Sequence, residues 1–282
     1  MPAIVIDGKL IAEKIKQKIQ ETIGNNIKPK LGILCPNLPS SLLYMNAQVR
    51  LAASIGIRTD VVKCDEDSSE EYVETAIHDW NNDPDTHGIF ILQPFIKGVN
   101  LERLMMLINP MKDVECIHPY DSTLRYFSKS PIGSCTALAI MEILDDIKVA
   151  ISGTETVIVG HSKIVGRPVS KLLLDRNATV TVCNKATSDN NKLQEHVARA
   201  EILVVAIGKP AYIPGAWIKP RAVVIDVGVN HVNGNIIGDV EFESARQKAS
   251  YITPARGGVG PVTAMIGMRQ LVMAYELQHE RR

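Results

Sequence analysis

One short segment of the chain, residues 156–168, has the residue types and spacing that would bind a phosphate group. Four β-branched residues, Thr156 to Val159, run into Gly160, a polar turn follows, and helical spacing resumes near Gly166. This order is typical of a parallel strand, a tight loop and the first turn of a helix. Because a helix N-terminus offers free backbone N–H groups and the positive end of a dipole, such a turn suits an anionic ligand.

The glycine spacing of this segment matches the dinucleotide-binding pattern G-x-G-x-x-G only in part. Gly160 fits the first position, Ser162 replaces the second glycine, and Gly166 falls one place late. Any strand-to-helix turn of a doubly wound sheet could have this sequence. The segment alone therefore leaves cofactor binding and simple turn geometry equally open.

The elements that must position this turn belong to two successive α/β series. In the first series, apolar spacing and turn residues predict helices at 11–23, 42–54 and 69–80 and strands at 31–35, 59–63 and 88–92. In the second, they predict strands at 156–159, 179–183, 202–206 and 222–227, helices at 137–147 and 264–280, a hairpin turn at Asn233–Gly234 and a glycine loop at 257–261. Strands that alternate with helices through short links indicate parallel sheets. The sequence thus predicts two α/β units around a cleft, with the ligand beside the carboxyl ends of the strands.

Composition and charge narrow the class of protein. The 282 residues include 31 basic and 31 acidic side chains without a long run of either sign, so nothing favours nucleic acid or an anionic membrane as partner. The longest apolar runs are far shorter than the ~20 residues of a membrane span, and the N-terminus lacks the pattern of a signal peptide. We therefore expect a cytoplasmic protein.

The cysteines and histidines give no sign of a metal site or a disulfide framework. The five cysteines are odd in number, widely spaced and without a C-x-x-C pair, which favours free thiols in a reducing compartment. His87 and His118 have no metal-ligand spacing to any cysteine or carboxylate. We expect no bound metal.

Several short stretches, spread over nearly the whole chain, match one family in their order and separation. They are residues 39–44, 88–94, 112–114, 160–168, 178–181, 208–210, 225–228, 253–254 and 257–263. On these motifs the chain resembles the bifunctional methylenetetrahydrofolate dehydrogenase/methenyltetrahydrofolate cyclohydrolase family, whose members are known as FolD. The resemblance implies a three-layer folate-type catalytic domain from residues 1–135 plus 264–282, closed by the C-terminal helix. It also implies a Rossmann-like NAD(P)-binding domain from residues 136–263 and a homodimer that pairs through the dinucleotide domains.

The resemblance also assigns site residues. It implies that a folate substrate is bound by Tyr44, Gln93, Pro94, Glu115, Gly257, Pro261 and Thr263. It implies that a nicotinamide dinucleotide is bound by Gly160, His161, Ser162, Ile164, Val165, Gly166, Lys185, Gly208, Asp226, Gly228 and Gly258. The glycines of 257–261 would let the backbone approach the nicotinamide ring closely, and simple turn geometry is the other explanation for them.

The chain departs from the family pattern at the residues nearest the chemistry. The family has a tyrosine and, four residues later, a lysine on one helix face, whereas here Tyr44 is followed by Gln48. The family's strand-motif glutamine is replaced by Leu92, with Gln93 one place later, and a one-residue offset turns a side chain to the opposite face. The family's aspartate is Glu115, an acid that is one methylene longer. Smaller departures are Cys116 for a glycine, Ser134–Ala137 for Pro-Cys-Thr-Pro, and Arg256 for a proline.

These departures should affect the two half-reactions that the resemblance implies, oxidation and hydrolysis, to different extents. Oxidation of methylenetetrahydrofolate transfers a hydride to the nicotinamide and moves no proton in that step, so alignment of the bound molecules supplies much of the rate. Hydrolysis of the methenyl cation needs a group that takes and gives a proton, which a desolvated lysine can do and the amide of Gln48 cannot. The resemblance, together with these departures, implies catalytic roles for Tyr44, Gln48 and Glu115 in a dehydrogenase whose cyclohydrolase activity is weak or lost.

Two other functions stay open at this point. One is a fully bifunctional dehydrogenase/cyclohydrolase of one-carbon folate metabolism. The other is a non-catalytic or re-purposed paralogue that binds a pterin or a dinucleotide, since a fold persists after its chemistry has changed.

The residues after the predicted strand 179–183 bear on the choice between NAD and NADP. An acid there favours NAD, but the first acid is Asp189, whereas Lys185 could supply a cation to the 2′-phosphate of NADP. His161 could add a partial charge, because a histidine is only partly protonated at neutral pH. The sequence favours NADP, and a solvated surface lysine at Lys185 is the alternative explanation.

Overall fold

The structure is a computed structural model that describes residues 2–24, 27–119 and 133–280. In these residues the strands are β1 (Ile4–Val5), β2 (Lys30–Pro36), β3 (Arg58–Cys64), β4 (Gly88–Ile91), β5 (Glu155–Val159), β6 (Thr179–Cys183), β7 (Ile202–Val205), β8 (Val223–Asp226), β9 (Asn230–Val232), β10 (Asn235–Ile237) and β11 (Tyr251–Ile252). The helices are α1 (Gly8–Ile23), α2 (Pro39–Ser54), α3 (Glu70–Asn82), α4 (Leu101–Leu107), α5 (Cys135–Asp146), α6 (Gly166–Asp175), α7 (Lys185–Asp189), α8 (Leu193–Arg199), α9 (Phe242–Arg246) and α10 (Val259–Glu280). Short 3₁₀ helices span Pro110–Lys112 and Gly215–Trp217.

The chain divides into two compact units, each with its own sheet. The six-stranded unit comprises Met1–Lys14 and Ser134–Thr263, and the three-stranded unit comprises Ile15–Gly133 and Ala264–Arg282. Neighbouring strands pair in parallel in both of these sheets. The predicted α/β class with two units is confirmed.

The three-stranded sheet has the order β3-β2-β4, with β2 in the centre. Apolar residues of β2 and β4 form a core cluster with Val73, Ile77 and Trp80 of α3. Gly32 makes this packing possible, because a side chain at its position would lie 2.6 Å from the indole ring of Trp80. The indole Nε1 of Trp80 donates a hydrogen bond to Oδ2 of Asp60 at 2.9 Å, so its polar atom is also satisfied.

The six-stranded sheet has the order β1-β11-β8-β7-β5-β6. Its central strands contribute Val157, Leu203 and Val224 to a core cluster, and all three are fully buried. Near-continuous runs of β-branched and aliphatic residues are typical of strands that helices cover on both faces. This is why the sequence predicts β5, β7 and β8 to within a residue or two.

The sequence did not predict β1 and β11. It assigned residues 1–135 to the catalytic domain, whereas in the structure Ile4 pairs with Tyr251 and Val5 with Ile252 at the edge of the six-stranded sheet. Strands of two residues carry no recognisable periodicity, because alternation needs at least four positions. The first residues of the chain therefore belong to the six-stranded unit.

The predicted hairpin at Asn233–Gly234 is confirmed. Strands β9 and β10 pair antiparallel with Val232 opposite Asn235, so the turn has two central residues. Asn233 and Gly234 have φ values of 49° and 80°, the left-handed region that the preferred two-residue hairpin turns require.

Helix α10 begins earlier than predicted. The sequence placed a glycine loop at 257–261 and the helix from Ala264, whereas α10 starts at Val259. Gly260 and Pro261 therefore lie in its first turn, where the missing N–H of proline removes no helical hydrogen bond. Although α10 has 22 residues, neither it nor another described helix combines the length and apolar character needed to cross a membrane.

Candidate active site

Three segments of the three-stranded unit meet the carboxyl edge of its sheet. Helix α2 starts at Pro39, shortly after β2 ends at Pro36, and Gln93–Pro94 follow the end of β4. Asp113 forms a parallel bridge with Ile89, so the chain leading to residue 115 runs beside β4 in the same direction. Ligands of open α/β sheets bind outside this edge.

Helix α2 carries two buried polar atoms without a partner. Tyr44 and Gln48 lie one helical turn apart, but Tyr44 is 49% exposed and Gln48 only 2%. Oε1 of Gln48 and Oγ of Ser41 are buried, and neither finds a hydrogen-bond partner among the described residues. Such atoms are rare, because leaving a buried polar atom unpaired costs about 1–3 kcal/mol. The same helix face thus offers two polar atoms that a ligand could satisfy.

The side chains after β4 follow the one-residue offset seen in the sequence. Leu92, where the family has glutamine, is buried, and its N–H donates to the carbonyl oxygen of Leu34 at 2.9 Å. Gln93 is exposed, and the Gln93–Pro94 peptide bond is cis. The amide of Gln93 therefore does not take the buried position of Leu92.

Glu115 is the titratable group of this edge whose pKa is most changed. Burial, together with the negative charge of Asp113, raises the pKa of Glu115 to about 8, although a hydrogen bond from the N–H of Ile91 opposes the rise. The Asp113 carboxylate in turn accepts hydrogen bonds from the N–H groups of Glu115 (3.3 Å) and His118 (2.9 Å). Cys116, where the family has glycine, has a φ of 57°. Glu115 therefore exchanges a proton close to neutral pH.

Lys112, which the sequence offered only as part of a motif, has a clear structural role. Its ammonium is buried and donates to the carbonyl oxygens of Trp80 (2.7 Å), Asn81 (2.9 Å) and Asp83 (2.7 Å). These carbonyls lie at the C-terminal end of α3, where a cation satisfies both the unpaired oxygens and the helix dipole. Lys112 thus fixes the start of the segment that carries Asp113 and Glu115.

The six-stranded unit has its topological switch point at β5. From β5 the chain goes to β6 on one side and then returns to β7 on the other. Here the loop after β5 is in close contact with the loop after β7. A side chain at Gly160 would overlap the carbonyl oxygen of Ala206. A side chain at Gly166 would in turn overlap the carbonyl oxygen of Gly160. The two glycines allow α6 to start directly against the end of β5, beside the crevice where dinucleotides bind in such sheets.

Hydrogen bonds within residues 161–165 shape the loop that leads into α6. Oγ of Ser162 accepts from the N–H of Val165 at 3.1 Å, and the carbonyl oxygen of Ser162 accepts from the N–H of Arg167 at 3.1 Å. Oγ of Ser134 donates to the carbonyl oxygen of Ile164. At Ser162, where the motif would have glycine, a local hydrogen bond to the side chain therefore shapes the turn. His161, Ser162 and Ile164 remain exposed.

Lys185 opens the short helix α7 after β6. Asn184 caps this helix by accepting from the N–H of Thr187 at 3.2 Å, and the Thr187 hydroxyl accepts from the N–H of Asn184. The Lys185 ammonium is exposed and lies 2.7 Å from the Asp189 carboxylate. Hydrogen bonding to Asp189 raises the pKa of Lys185. Lys185 thus presents a positive charge at the surface, but this charge is already paired with the Asp189 carboxylate.

Two further residues predicted to bind the cofactor, Asp226 and Gly208, affect the conformation of the backbone. The buried carboxylate of Asp226 accepts from the N–H groups of Gly228 (2.9 Å), Asp239 (3.0 Å) and Val240 (2.9 Å). Burial raises the pKa of Asp226 to about 6 in spite of these bonds. Gly208, with a φ of 65°, has open space around the position of a side chain. The sequence analysis did not single out Asp239, because its local sequence carries no signal of its burial.

The glycines before α10 pack against the first residue of α1. Gly257 has a φ of 84°, and a side chain at Gly258 would overlap the carbonyl oxygen of Pro254. A side chain at Gly8 would overlap the carbonyl oxygen of Gly258. In the following helix, the Thr263 hydroxyl donates to the carbonyl oxygen of Val259 at 3.2 Å. Close backbone packing alone accounts for the glycines at 8 and 258.

Comparison with protein families decides the identity of the chain. The family models for the tetrahydrofolate dehydrogenase/cyclohydrolase catalytic domain and NAD(P)-binding domain match residues 6–115 and 134–279. The chain belongs to this family. The resemblance inferred from the sequence motifs is confirmed.

Relatives in the tetrahydrofolate dehydrogenase/cyclohydrolase family match the chain from end to end. The bifunctional protein FolD of Caldanaerobacter subterraneus subsp. tengcongensis is 40% identical over 278 residues, which cover 98% of each chain. The crystal structure of the FolD enzyme from Campylobacter jejuni has a TM-score of 0.93 at 30% identity, covering 98% of this chain and 99% of that one. The Trypanosoma brucei enzyme, solved with NADP and an inhibitor, has a TM-score of 0.92 at 32% identity, with 98% of both chains covered.

The NAD(P)-binding domain of this family member has a fitting place for a dinucleotide. The contacts of Gly160 with Ala206 and of Gly166 with Gly160 leave no room for side chains at these two glycines, so the backbone is directly accessible there. In the first turn of α6, the N–H of Arg167 donates to the carbonyl oxygen of Ser162 and Pro168 has no N–H. The positive end of the helix dipole, rather than a row of free N–H groups, would therefore attract a phosphate. Residues 160–166 would hold the phosphates, and the dinucleotide would supply the hydride acceptor.

Proposed function

We propose that the protein oxidises methylenetetrahydrofolate by hydride transfer to NAD(P)⁺ and that its methenyltetrahydrofolate cyclohydrolase activity is weak or lost. Family membership supports the first half. One observation carries the second half: the residue four places after Tyr44 is Gln48, whose buried amide cannot titrate.

Hydride transfer makes modest demands on side chains. A hydride leaves the one-carbon bridge with its electron pair, and the remaining iminium is stabilised by the adjacent ring nitrogens of the substrate. No proton is moved, so the protein must mainly hold two molecules in line. Tyr44, half-exposed beside the buried amide of Gln48, would contact the substrate, and Glu115 would bind the pterin ring. None of these roles requires a lysine.

Hydrolysis of the methenyl bridge makes a stricter demand. Water must lose a proton as it adds to the cation, and the departing ring nitrogen must gain one. A group that titrates near neutral pH typically contributes about 100- to 10,000-fold to such steps. The Gln48 amide can orient water through Oε1, which has no donor among the described residues. It cannot carry the proton.

Separate assays of the two half-reactions on the purified protein test the proposal. We expect NADP⁺ or NAD⁺ reduction that depends on methylenetetrahydrofolate, together with methenyltetrahydrofolate decay close to the rate without protein. Rapid hydrolysis without oxidation would reject the assignment. Absence of both activities, with retained folate or dinucleotide binding, would indicate the non-catalytic paralogue.

A fully bifunctional enzyme is the second candidate, and one observation favours it. Glu115 lies at the same sheet edge, and its pKa is raised to about 8. A carboxyl group that titrates there could take over the proton transfer that the family assigns to lysine. In that case residual hydrolysis would disappear in Glu115→Gln while the two substrates still bind.

The raised pKa of Glu115 also predicts a pH-dependent stability. The folded protein keeps the Glu115 proton up to about pH 8, whereas the unfolded chain loses it near the ordinary value of 4.5. The stability contribution of Glu115 is therefore fully present below that ordinary value and is lost as the pH rises through about 8. We expect the Tm of Glu115→Gln, relative to the wild type, to be higher at pH 9 than at pH 5. Thermal unfolding at both pH values measures this.

Glu71→Gln provides the control for this measurement. Glu71 is an exposed residue of α3 in the same unit, so its substitution makes the same Glu-to-Gln change without a buried carboxyl. Its Tm difference from the wild type should not change in the same direction between pH 5 and pH 9. If Glu115→Gln behaved like Glu71→Gln, the carboxyl of Glu115 would titrate as an ordinary acid.

We further propose that NADP is preferred over NAD. The exposed charge of Lys185, at the end of β6, supports this preference, and exposed His161 supports it from the neighbouring loop. The cytoplasmic homodimer that pairs through the dinucleotide domains also stays a proposal.

A substitution of Lys185 tests the cofactor preference. We expect Lys185→Ala to raise the KM for NADP⁺ by about tenfold and to leave the KM for NAD⁺ unchanged, because one charge-assisted contact is lost. Asp189→Asn should act in the opposite direction, since it removes the carboxylate that shares the Lys185 charge. Lys192→Ala, at another exposed lysine of this unit, is the control. Equal effects of Lys185→Ala on both cofactors would contradict the assignment.

A further inference from the structure

Asp239 holds three consecutive backbone N–H groups of a loop far away in the sequence. Its carboxylate is fully buried. Oδ2 accepts from the N–H groups of Ile207 (2.7 Å) and Gly208 (3.0 Å), and Oδ1 accepts from that of Lys209 (2.8 Å). Hydrogen bonds to an ionised acceptor are about twice as strong as neutral ones. A single side chain therefore determines the path of residues 207–209.

Asp239 is itself held from several sides. Oδ1 accepts a further hydrogen bond from Nδ2 of Asn230 at 2.9 Å. The Asp226 carboxylate accepts from the N–H of Asp239 at 3.0 Å, which fixes the backbone of this residue. Side chains at Gly228 and Gly238 would overlap the carboxyl groups of Asp239 and Asp226, respectively. Close backbone packing thus leaves neither carboxylate free to turn away.

The loop that Asp239 holds lies at the switch point of the six-stranded sheet. Residues 207–209 follow β7, and Ala206 touches Gly160 at the end of β5. Gly160 starts the phosphate-binding turn, so the loop after β7 forms the opposite wall of the same crevice. Without a side-chain anchor, this loop would sample several shapes, because Gly208 adopts a left-handed conformation and has open space around it.

We propose that Asp239 is a positioning residue for dinucleotide binding, which acts by holding residues 207–209 as one wall of the crevice. The inference rests on the proposed function only in taking a nicotinamide dinucleotide as the ligand. Asp239 is buried beneath the loop and acts on the ligand through the backbone of Ile207, Gly208 and Lys209. A wall that is already in its bound shape loses less conformational freedom when the ligand enters.

Asp239→Asn tests the proposal with little change in side-chain volume. One carboxylate oxygen becomes an NH₂ group, which cannot accept the hydrogen bonds that reached it. We expect the Kd for NADP⁺ to rise by about 10- to 100-fold, a range typical of a displaced binding wall. Fluorescence titration measures this Kd. In turnover, the KM for the dinucleotide should rise similarly, while kcat at saturating dinucleotide and the KM for methylenetetrahydrofolate should stay near the wild-type values.

Glu201→Gln is the matched control. Glu201 immediately precedes β7, and its carboxylate accepts from the N–H of Glu155, the first residue of β5, at 2.9 Å, at the amino edge of the same sheet. This variant alters an exposed carboxylate–backbone bond away from the crevice, so its Kd should match the wild type. If Asp239→Asn lowered Tm but left Kd unchanged, Asp239 would be merely structural and the proposal wrong. A wild type that binds neither NADP⁺ nor NAD⁺ would instead overturn the cofactor assignment as well.

Amide hydrogen exchange on the wild-type protein keeps the proposal testable if Asp239→Asn does not fold. The N–H groups of Ile207, Gly208 and Lys209 donate to a buried carboxylate, so they should exchange much more slowly than exposed loop amides. Fast exchange at all three positions in the free protein would overturn the proposal, because the wall would then not be preformed.

Discussion

Gln48→Lys should raise methenyltetrahydrofolate hydrolysis by about 100- to 10,000-fold while hydride transfer stays near the wild-type rate. The position is only 2% exposed, so a lysine there would be desolvated and its pKa lowered towards neutral. Oγ of Ser41, on the same helix, has no partner among the described residues and could accept a hydrogen bond from the new amine. Decay of methenyltetrahydrofolate absorbance with time measures the gain.

Gln48→Met is the matched control for this gain. Methionine has a similar length and no group that titrates, so hydrolysis should remain at the wild-type level. Gln48→Lys and Gln48→Met also distinguish a dehydrogenase with weak hydrolysis from a fully bifunctional enzyme. A folded Gln48→Lys that binds substrate but hydrolyses no faster would contradict our proposal, and it would direct attention to Glu115 as the group that moves the proton.

Gly166→Ala should lower dinucleotide affinity by about 100-fold, because the phosphate-binding turn would be displaced. A Cβ at this position would overlap the carbonyl oxygen of Gly160 and lie 2.9 Å from Cα of His161. Both neighbours are backbone atoms, so α6 must move away from the end of β5. We also expect a loss of about 1–3 kcal/mol in the free energy of unfolding, as for other overpacked sites. Titration with NADP⁺ and thermal unfolding give the two values.

Gly153→Ala is the control for Gly166→Ala. Gly153 precedes β5 at the amino edge of the six-stranded sheet, and a Cβ there would meet no heavy atom within 4 Å, although its φ of 77° makes alanine strained. This variant should bind the dinucleotide like the wild type and lose about 1–2 kcal/mol in stability, because only the backbone strain changes. Wild-type NADP⁺ affinity in Gly166→Ala would show that the turn at 160–166 is not where the dinucleotide binds.

The fold was largely predictable because its main strands are runs of β-branched and aliphatic residues bounded by turn residues. Glu155–Val159 and Thr179–Cys183 are runs rich in β-branched residues with turn residues after them, and their bounds agree closely with the prediction. The start of α2 at Pro39 was missed because Pro-Ser-Ser resembles a loop, although proline is also favoured in the first helical turn. The two-residue strands β1 and β11 were missed because their pairing partner, not their sequence, creates them.

The candidate site was predictable where its residues lie close together in the sequence. Tyr44 and Gln48 share one helix because their separation matches a helical turn, and the loss of the lysine is visible directly. The depth of burial was not predictable, since it depends on the sheet beneath the helix. Nor was the raised pKa of Glu115, which arises from burial and from Asp113 at a sheet edge that only the folded chain forms.

Residues that act across long sequence separations escaped prediction. Asp239 holds amides about thirty positions earlier in the chain, and nothing in the local sequence distinguishes it from a surface acid. Asp226 was predicted as a cofactor residue, and the structure shows that its carboxylate accepts from three backbone N–H groups. Its assignment as a direct cofactor contact therefore stays a prediction.

The pairing of β1 with β11 has a consequence for synthesis on the ribosome. Ile4 is translated long before its partner Tyr251, which lies about 250 positions later in the chain. Contacts between residues so distant in the chain form slowly. The sheet of the six-stranded unit therefore stays incomplete until β11 has been synthesised. Until β11 arrives, the apolar strand β8 (Val223–Asp226) is exposed along one side and open to pairing with other nascent chains.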